Sequence, residues 1–119
     1  MKKTLIGGCV SLLALSLLSG GVSAATLLTG AEIQALLAGK TVAGIAGENI
    51  PFTKTYRADG TFTLQVENGE PRNGTWRVNG DQYCQIRIEI EECYSVEKDG
   101  DTYRMLYDGD QVHTTFNLQ

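Results

Sequence analysis

The sequence predicts a mainly β protein: a small antiparallel up-and-down barrel, or a coiled meander, of seven or eight strands with one short N-terminal helix. Three observations lead there. Runs rich in Thr, Val, Tyr, Phe and Ile recur at spacings of about ten residues from position 41 onward. Turn signals stand between most of them: Ala58-Asp59-Gly60, Glu67-Asn68-Gly69, Val78-Asn79-Gly80, Lys98-Asp99-Gly100 and Tyr107-Asp108-Gly109. Only one segment, Thr26 to Lys40, carries a helical period.

Residues 1–24 read as a secretory signal peptide. Lys2 and Lys3 form a positive start, Leu5 to Leu18 is mostly apolar, and Val22-Ser23-Ala24 supplies small residues at the cleavage site. The apolar run is short of the ~20 residues a membrane span needs, so no stable insertion is expected once it is removed. Ile6-Gly7-Gly8-Cys9 loosely resembles a lipobox, but few apolar residues precede Cys9, which leaves its lipoprotein status disfavoured and open. The expected location is the periplasm or the extracellular space.

Residues 25–119 are then one small domain. It keeps all fourteen acidic residues and loses two lysines, so its formal charge is −6. That balance argues against nucleic acid as a partner, since no basic patch is there to meet it. A chain this short has a limited core and gains from a staple. Cys84 and Cys93 are expected to form a disulfide, worth about 2–3 kcal/mol on the chain-entropy model. A metal site would need further ligands, and His113 is the only histidine. No metal and no cofactor is expected.

In the helix, Thr29 and Glu32 have capping-box spacing, Leu28 and Ile33 fit a hydrophobic staple, and Ile33, Leu36 and Leu37 make one apolar stripe. Gly39 stands where a left-handed cap belongs. The strands are expected at 41–45, 52–57, 61–67, 74–78, 82–88, 92–98, 102–107 and 111–117. A three-residue loop at Ala58-Asp59-Gly60 pairs Tyr56 with Phe62, Lys54 with Leu64 and Phe52 with Val66, keeping apolar residues on one face. Val78 meets Tyr83 across Asn79-Gly80. A two-residue loop at Asp99-Gly100 pairs Val96 with Tyr103 and Tyr94 with Met105; Asp108-Gly109 then pairs Met105 with Val112. The inner face becomes Tyr94, Val96, Tyr103, Met105, Tyr107, Val112, Thr114 and Phe116. One stretch resists: Cys84, Ile86, Ile88 and Ile90 alternate on the face opposite Tyr83. Either a bulge near Cys84 or apolar residues on both faces would resolve it.

The triplets Asp99-Gly100-Asp101 and Asp108-Gly109-Asp110 invite a calcium reading. They lack the ligand series of an EF-hand and the Gly-x-Gly of a calcium-binding roll. In a meander they cap opposite ends of one strand, roughly 20 Å apart, and cannot share an ion. Ser95 and His113 could suggest a dyad, but the register sets Arg104 between them on an outer polar row. Glu89, Glu91 and Glu92 offer paired carboxylates, but Glu91 and Glu92 lie at an expected turn, where carboxylates are solvated. Asn73-Gly74-Thr75 matches a glycosylation sequon by its letters alone. No P-loop, dinucleotide fingerprint or zinc-hydrolase motif occurs.

The run Tyr56-Arg57-Ala58-Asp59-Gly60-Thr61-Phe62, then Gly74-Thr75-Trp76, then Cys84, then Cys93-Tyr94, with the helix before them, resembles a loose group of short secreted proteobacterial proteins of unknown function. The resemblance covers nearly all of residues 25–119. It implies the fold and brings no activity or catalytic residues. A likeness to small periplasmic barrels that inhibit lysozymes or proteases is architectural only.

The functional expectation is an exported, non-enzymatic binding module for a protein partner or a small apolar ligand. Trp76, Tyr83, Tyr94, Tyr103 and Tyr107 are the candidate ligand-binding residues, lining a cup, with no catalytic residue assigned. An exposed patch of Ile86, Ile88 and Leu106 would favour a protein partner. The alternatives are an envelope enzyme using Tyr and Glu side chains, or a structural accessory subunit.

Overall fold

A computed structural model describes residues 25–107 and 110–119. The signal-peptide expectation, Cys9 and the Asp108-Gly109 turn lie outside the described residues. The elements run β1 (Thr26–Leu27), α1 (Gly30–Leu37), β2 (Thr41–Ala46), β3 (Ile50–Tyr56), β4 (Thr61–Val66), β5 (Arg72–Asn79), β6 (Gln82–Arg87), β7 (Ile90–Asp99), β8 (Thr102–Leu106) and β9 (Val112–Leu118). Every consecutive pair from β2 to β9 is antiparallel, and β9 pairs back onto β2. The result is a closed eight-stranded barrel with no free sheet edge along that circuit. The short strand β1 adds to β7 from outside, opposite Glu97 and Lys98.

The capping box forms as expected: the Thr29 hydroxyl accepts from the Glu32 amide, and Glu32 accepts from the Thr29 amide. Gly39 takes the left-handed conformation. Eight helical residues do not hold themselves together in water, so α1 depends on burying Ile33 and Leu37, both fully shielded. They close one end of the barrel. Asp81, in the β5–β6 turn, accepts from the Gly30 amide at 2.8 Å. Gly30 packs so tightly on the Gly80 carbonyl that a Cβ would lie 2.0 Å from its oxygen.

The registers of β3 with β4 and of β5 with β6 agree with the sequence reading, including the left-handed Gly60 and the Val78–Tyr83 pair. Two registers need correction. At β7–β8 the loop is Gly100-Asp101, so Val96 faces Met105 and Lys98 faces Tyr103. The slip of two residues leaves each side chain on its expected face, which is why alternation alone could not detect it. At β8–β9, Met105 faces Thr114 but Leu106 faces Val112, so His113 is an extra, bulged residue.

That bulge also corrects the inner face. Tyr94, Val96, Met105, Thr114 and Phe116 are buried, whereas Tyr107 and Val112 are exposed. Ser95 faces Leu106, and Arg104 faces Glu97 and Thr115, so the expected Ser95–Arg104–His113 row does not form. Arg104 instead donates to Glu97 at 2.9 Å and Asp99 at 3.3 Å.

The resistant stretch resolves without a bulge inside β6. Tyr83 and Gln85 are buried within the barrel, and the isoleucines are left outside, with Ile88 and Ile90 exposed. Cys84 and Cys93 face each other across β6 and β7 and are joined by a disulfide. Glu91 is near both sulfurs, but their mutual bond removes them as metal ligands. A disulfide fits an oxidising compartment outside the cytoplasm. Among the described residues, no helix is long and apolar enough to cross a membrane.

Candidate functional site

In an up-and-down barrel alternate turns fall at alternate ends. The β2–β3, β4–β5, β6–β7 and β8–β9 connections share the end opposite α1. There the barrel opens into a cavity of about 200 Å³. Its walls are largely apolar: Val42, Phe52, Leu64, Val66, Met105 and Phe116. Nearer the mouth stand Arg72, Arg87 and His113, with Gln85 and Lys54 below them.

Lys54 is the unusual member. Inward positions on β3 run Phe52, Lys54, Tyr56, and all three are buried. The lysine retains only 7% exposure. Its Nζ donates to Tyr83 Oη at 3.1 Å and to Gln85 Oε1. It also lies over the Phe62 ring, 4.2 Å from the centroid. Gly74 makes that geometry possible, because a Cβ there would lie 2.4 Å from Phe62 Cζ. Among the described residues no carboxylate lies within 4 Å of Nζ.

Energies decide the charge state. Ring faces contribute about 0.5–2 kcal/mol towards the charged form. Removing an ammonium from water costs several kcal/mol. Burial therefore dominates, and the Arg87 guanidinium adds repulsion, while Glu92 acts the other way. Together they bring the Lys54 pKa down to about 7. Burial pushes the Tyr83 hydroxyl well above its ordinary range, so it stays a proton donor. Burial likewise holds His113 below the usual histidine value, and its imidazole is neutral at neutral pH.

Polar satisfaction is incomplete at the mouth. Among the described residues, Arg87 Nε and Tyr94 Oη are buried without a hydrogen-bond partner. A buried donor left open on a cavity wall calls for an acceptor from elsewhere, since each such group forfeits about 1–3 kcal/mol.

The five residues expected to line a cup are arranged differently. Trp76 and Tyr83 belong to the packed aromatic floor with Tyr56, at ring separations of 5.4 and 5.7 Å. Trp76 Nε1 donates to the Arg57 carbonyl. Tyr83 reaches the cavity through its hydroxyl, which accepts from Lys54 and donates to Gln85. Tyr94 stacks on His113 at 4.6 Å, Tyr103 stacks on Phe116 at 5.4 Å, and Tyr107 is exposed at the rim. None of the five expected residues lines the cavity; its wall carries aliphatic side chains, the rings of Phe52, Tyr56 and Phe116, the neutral polar Gln85 and Thr114, and the basic Lys54, Arg72, Arg87 and His113. The patch expected from Ile86, Ile88 and Leu106 is not formed, because Leu106 is buried.

The residues the sequence reading passed over are Lys54, Gln85, Arg87 and His113. The first three had a signal: each occupies an inward slot of an alternating strand, where an apolar side chain is the norm. His113 had none, because it turns inward through the bulge. Compared with family models, curated protein sequences and solved structures, the chain matches none of them.

Proposed function

We propose that the protein is an exported ligand-binding barrel, periplasmic or secreted, whose cup takes a small amphiphile: a short apolar body with an oxygen-bearing, anionic head. The observation that supports it is an apolar cavity whose charged wall groups, among the described residues, are all cations, one of them Arg87 with a buried open donor. The surrounding protein is acidic, so these cations are not part of a general basic surface.

Size limits the ligand. Cavities of about 150 Å³ accept benzene, and drug-sized ligands use roughly 300–1,000 Å³. At about 200 Å³ the cup suits a molecule such as hexanoate or benzoate. With so few atoms, a dissociation constant between about 10 µM and 1 mM is expected.

The test is an NMR titration of the folded protein with hexanoate, benzoate and hexylammonium at about pH 6.5, below the Lys54 midpoint near 7. The two anions should perturb Phe52, Leu64, Val66, Arg87 and Thr114, and the cation should not. Equal binding of hexylammonium, or no response of those residues to either anion, refutes the proposal.

A further inference from the structure

Lys54 carries chemistry beyond charge. Its amine lies on the cavity wall, close-packed on the Phe62 ring and tethered to two neutral oxygens, with no carboxylate within 4 Å among the described residues. A lysine held by a carboxylate stays an ammonium ion and cannot attack anything. One held only by a hydroxyl and an amide oxygen in an apolar pocket keeps its lone pair within reach of an electrophile.

We propose that Lys54 is a covalent capture site for small apolar aldehydes, forming a reversible imine within the cup. The proposal rests on the reading of the cup as a site for small amphiphiles. The neutral Nζ adds to the carbonyl carbon, the carbon–oxygen π bond breaks, and an N–H proton passes to that oxygen to give a carbinolamine. The Tyr83 hydroxyl, 3.1 Å from Nζ, is placed to relay this proton. Loss of the hydroxyl with the second N–H proton releases one water and leaves the carbon–nitrogen double bond. No oxidant or reductant takes part.

Burial and the nearby Arg87 charge bring the lysine pKa to about 7, so a large fraction of the amine is neutral at physiological pH. An ordinary lysine, near 10.4, is neutral in roughly one molecule per thousand there. Lys40 and Lys98 are exposed and serve as internal controls.

The experiment incubates the folded protein with hexanal and sodium cyanoborohydride at about pH 7.5, where Lys54 is mostly neutral. Intact mass and a peptide map follow, beside a hexanoate titration of the same sample. One hexyl group per chain is expected, on Lys54 in preference to Lys40 or Lys98 by about tenfold or more, and competed by hexanoate. Lys54→Arg, which keeps a cation but no free amine, should lose that label; if it does not fold, the peptide map of the native chain decides alone. Hexanoate binding without label at Lys54, or label spread evenly over the three lysines, overturns the capture and leaves the binding reading standing. Absence of both hexanoate binding and Lys54 label overturns both.

Discussion

The two ends of this barrel are built on opposite principles. At the helix end, Ile33 and Leu37 disappear completely into the floor, and the turns supply left-handed backbone with Gly60, Gly80 and Gly100. At the other end Ile50, Ile88, Ile90, Tyr107 and Val112 remain exposed. There Gly47, Asn49 and Asn68 take left-handed positions that suit them, but Ile88 and Glu89 take them against their preference. The helix end gives its left-handed positions to glycine, though Leu27 and Leu118 stay exposed there; the other end accepts strain at Ile88 and Glu89 and more exposed apolar area, and it is the end with the cavity and the open donors. Unfavourable local choices collected at one place mark a region shaped for something other than stability.

The largest effect should come from the closed end. Leu37→Ala removes a fully buried side chain from a helix that exists only through such contacts. A loss of about 3–4 kcal/mol is expected in urea unfolding. Loss below about 1 kcal/mol would mean that α1 does not seal the barrel in solution.

Next comes the lysine at the boundary between the two ends. Lys54→Met removes a buried amine and leaves Tyr83 Oη still donating to Gln85 Oε1 at 2.9 Å. The folded pKa of about 7 lies below the unfolded value of 10.5, so the native state disfavours the proton. Well below pH 7 both states are mostly charged, and the burial penalty is at its fullest; at pH 7 it is still near that limit. Above about 10.5 both are neutral, and the penalty is gone. Lys54→Met should therefore exceed the native protein in stability by about 2–3 kcal/mol at pH 7, and the gap should shrink steadily between pH 7 and pH 10. A gap independent of pH would show that Lys54 is solvated. Binding of hexanoate should weaken as pH rises through about 7, because the cup then loses one of its cations.

How far these features could be read in advance depended on which physical rule each obeyed. The eight barrel strands and the β3–β4 register follow from alternation and turn chemistry, because both are local and one face is buried throughout. The disulfide was readable because only Cys84 and Cys93 lie outside the expected signal peptide. The β7–β8 slip was invisible, since moving by two residues preserves every face. His113 depended on the bulge that alternation does not encode. Lys54 was a different case. Its register was anticipated, placing it between Phe52 and Tyr56 on the inner face, yet the aromatic residues drew attention to themselves. Aromatics in a small barrel mostly fill it; the informative residue was the polar one in an apolar slot.

The disulfide sharpens the contrast further. It crosses β6 and β7 below the strained tip and closes a short loop. Replacing Cys84 and Cys93 together by serine should lower stability by about 2–3 kcal/mol. Amide exchange should accelerate first at Arg87 to Ile90, at the open end, with Ile33 and Leu37 still protected. Uniform acceleration through both ends would argue that the bond supports the whole barrel and not the rim.

The smallest effect tests the strain itself. Ile88 and Glu89 form a two-residue hairpin loop with φ of 52° and 63°. That geometry is a type I′ turn, which favours Asn-Gly, and a β-branched residue there is an outlier. Ile88 is also 89% exposed, so its side chain contributes almost nothing to the core in return. Replacing the pair by Ile88→Asn and Glu89→Gly should stabilise the fold by about 1–2 kcal/mol. Neither side chain lines the cavity, so hexanoate binding should be retained if the turn only shapes the hairpin. A stabilised barrel with weakened binding would instead assign Ile88 to the ligand's path into the cup, giving the exposed isoleucine a function that outweighs the strain of its backbone.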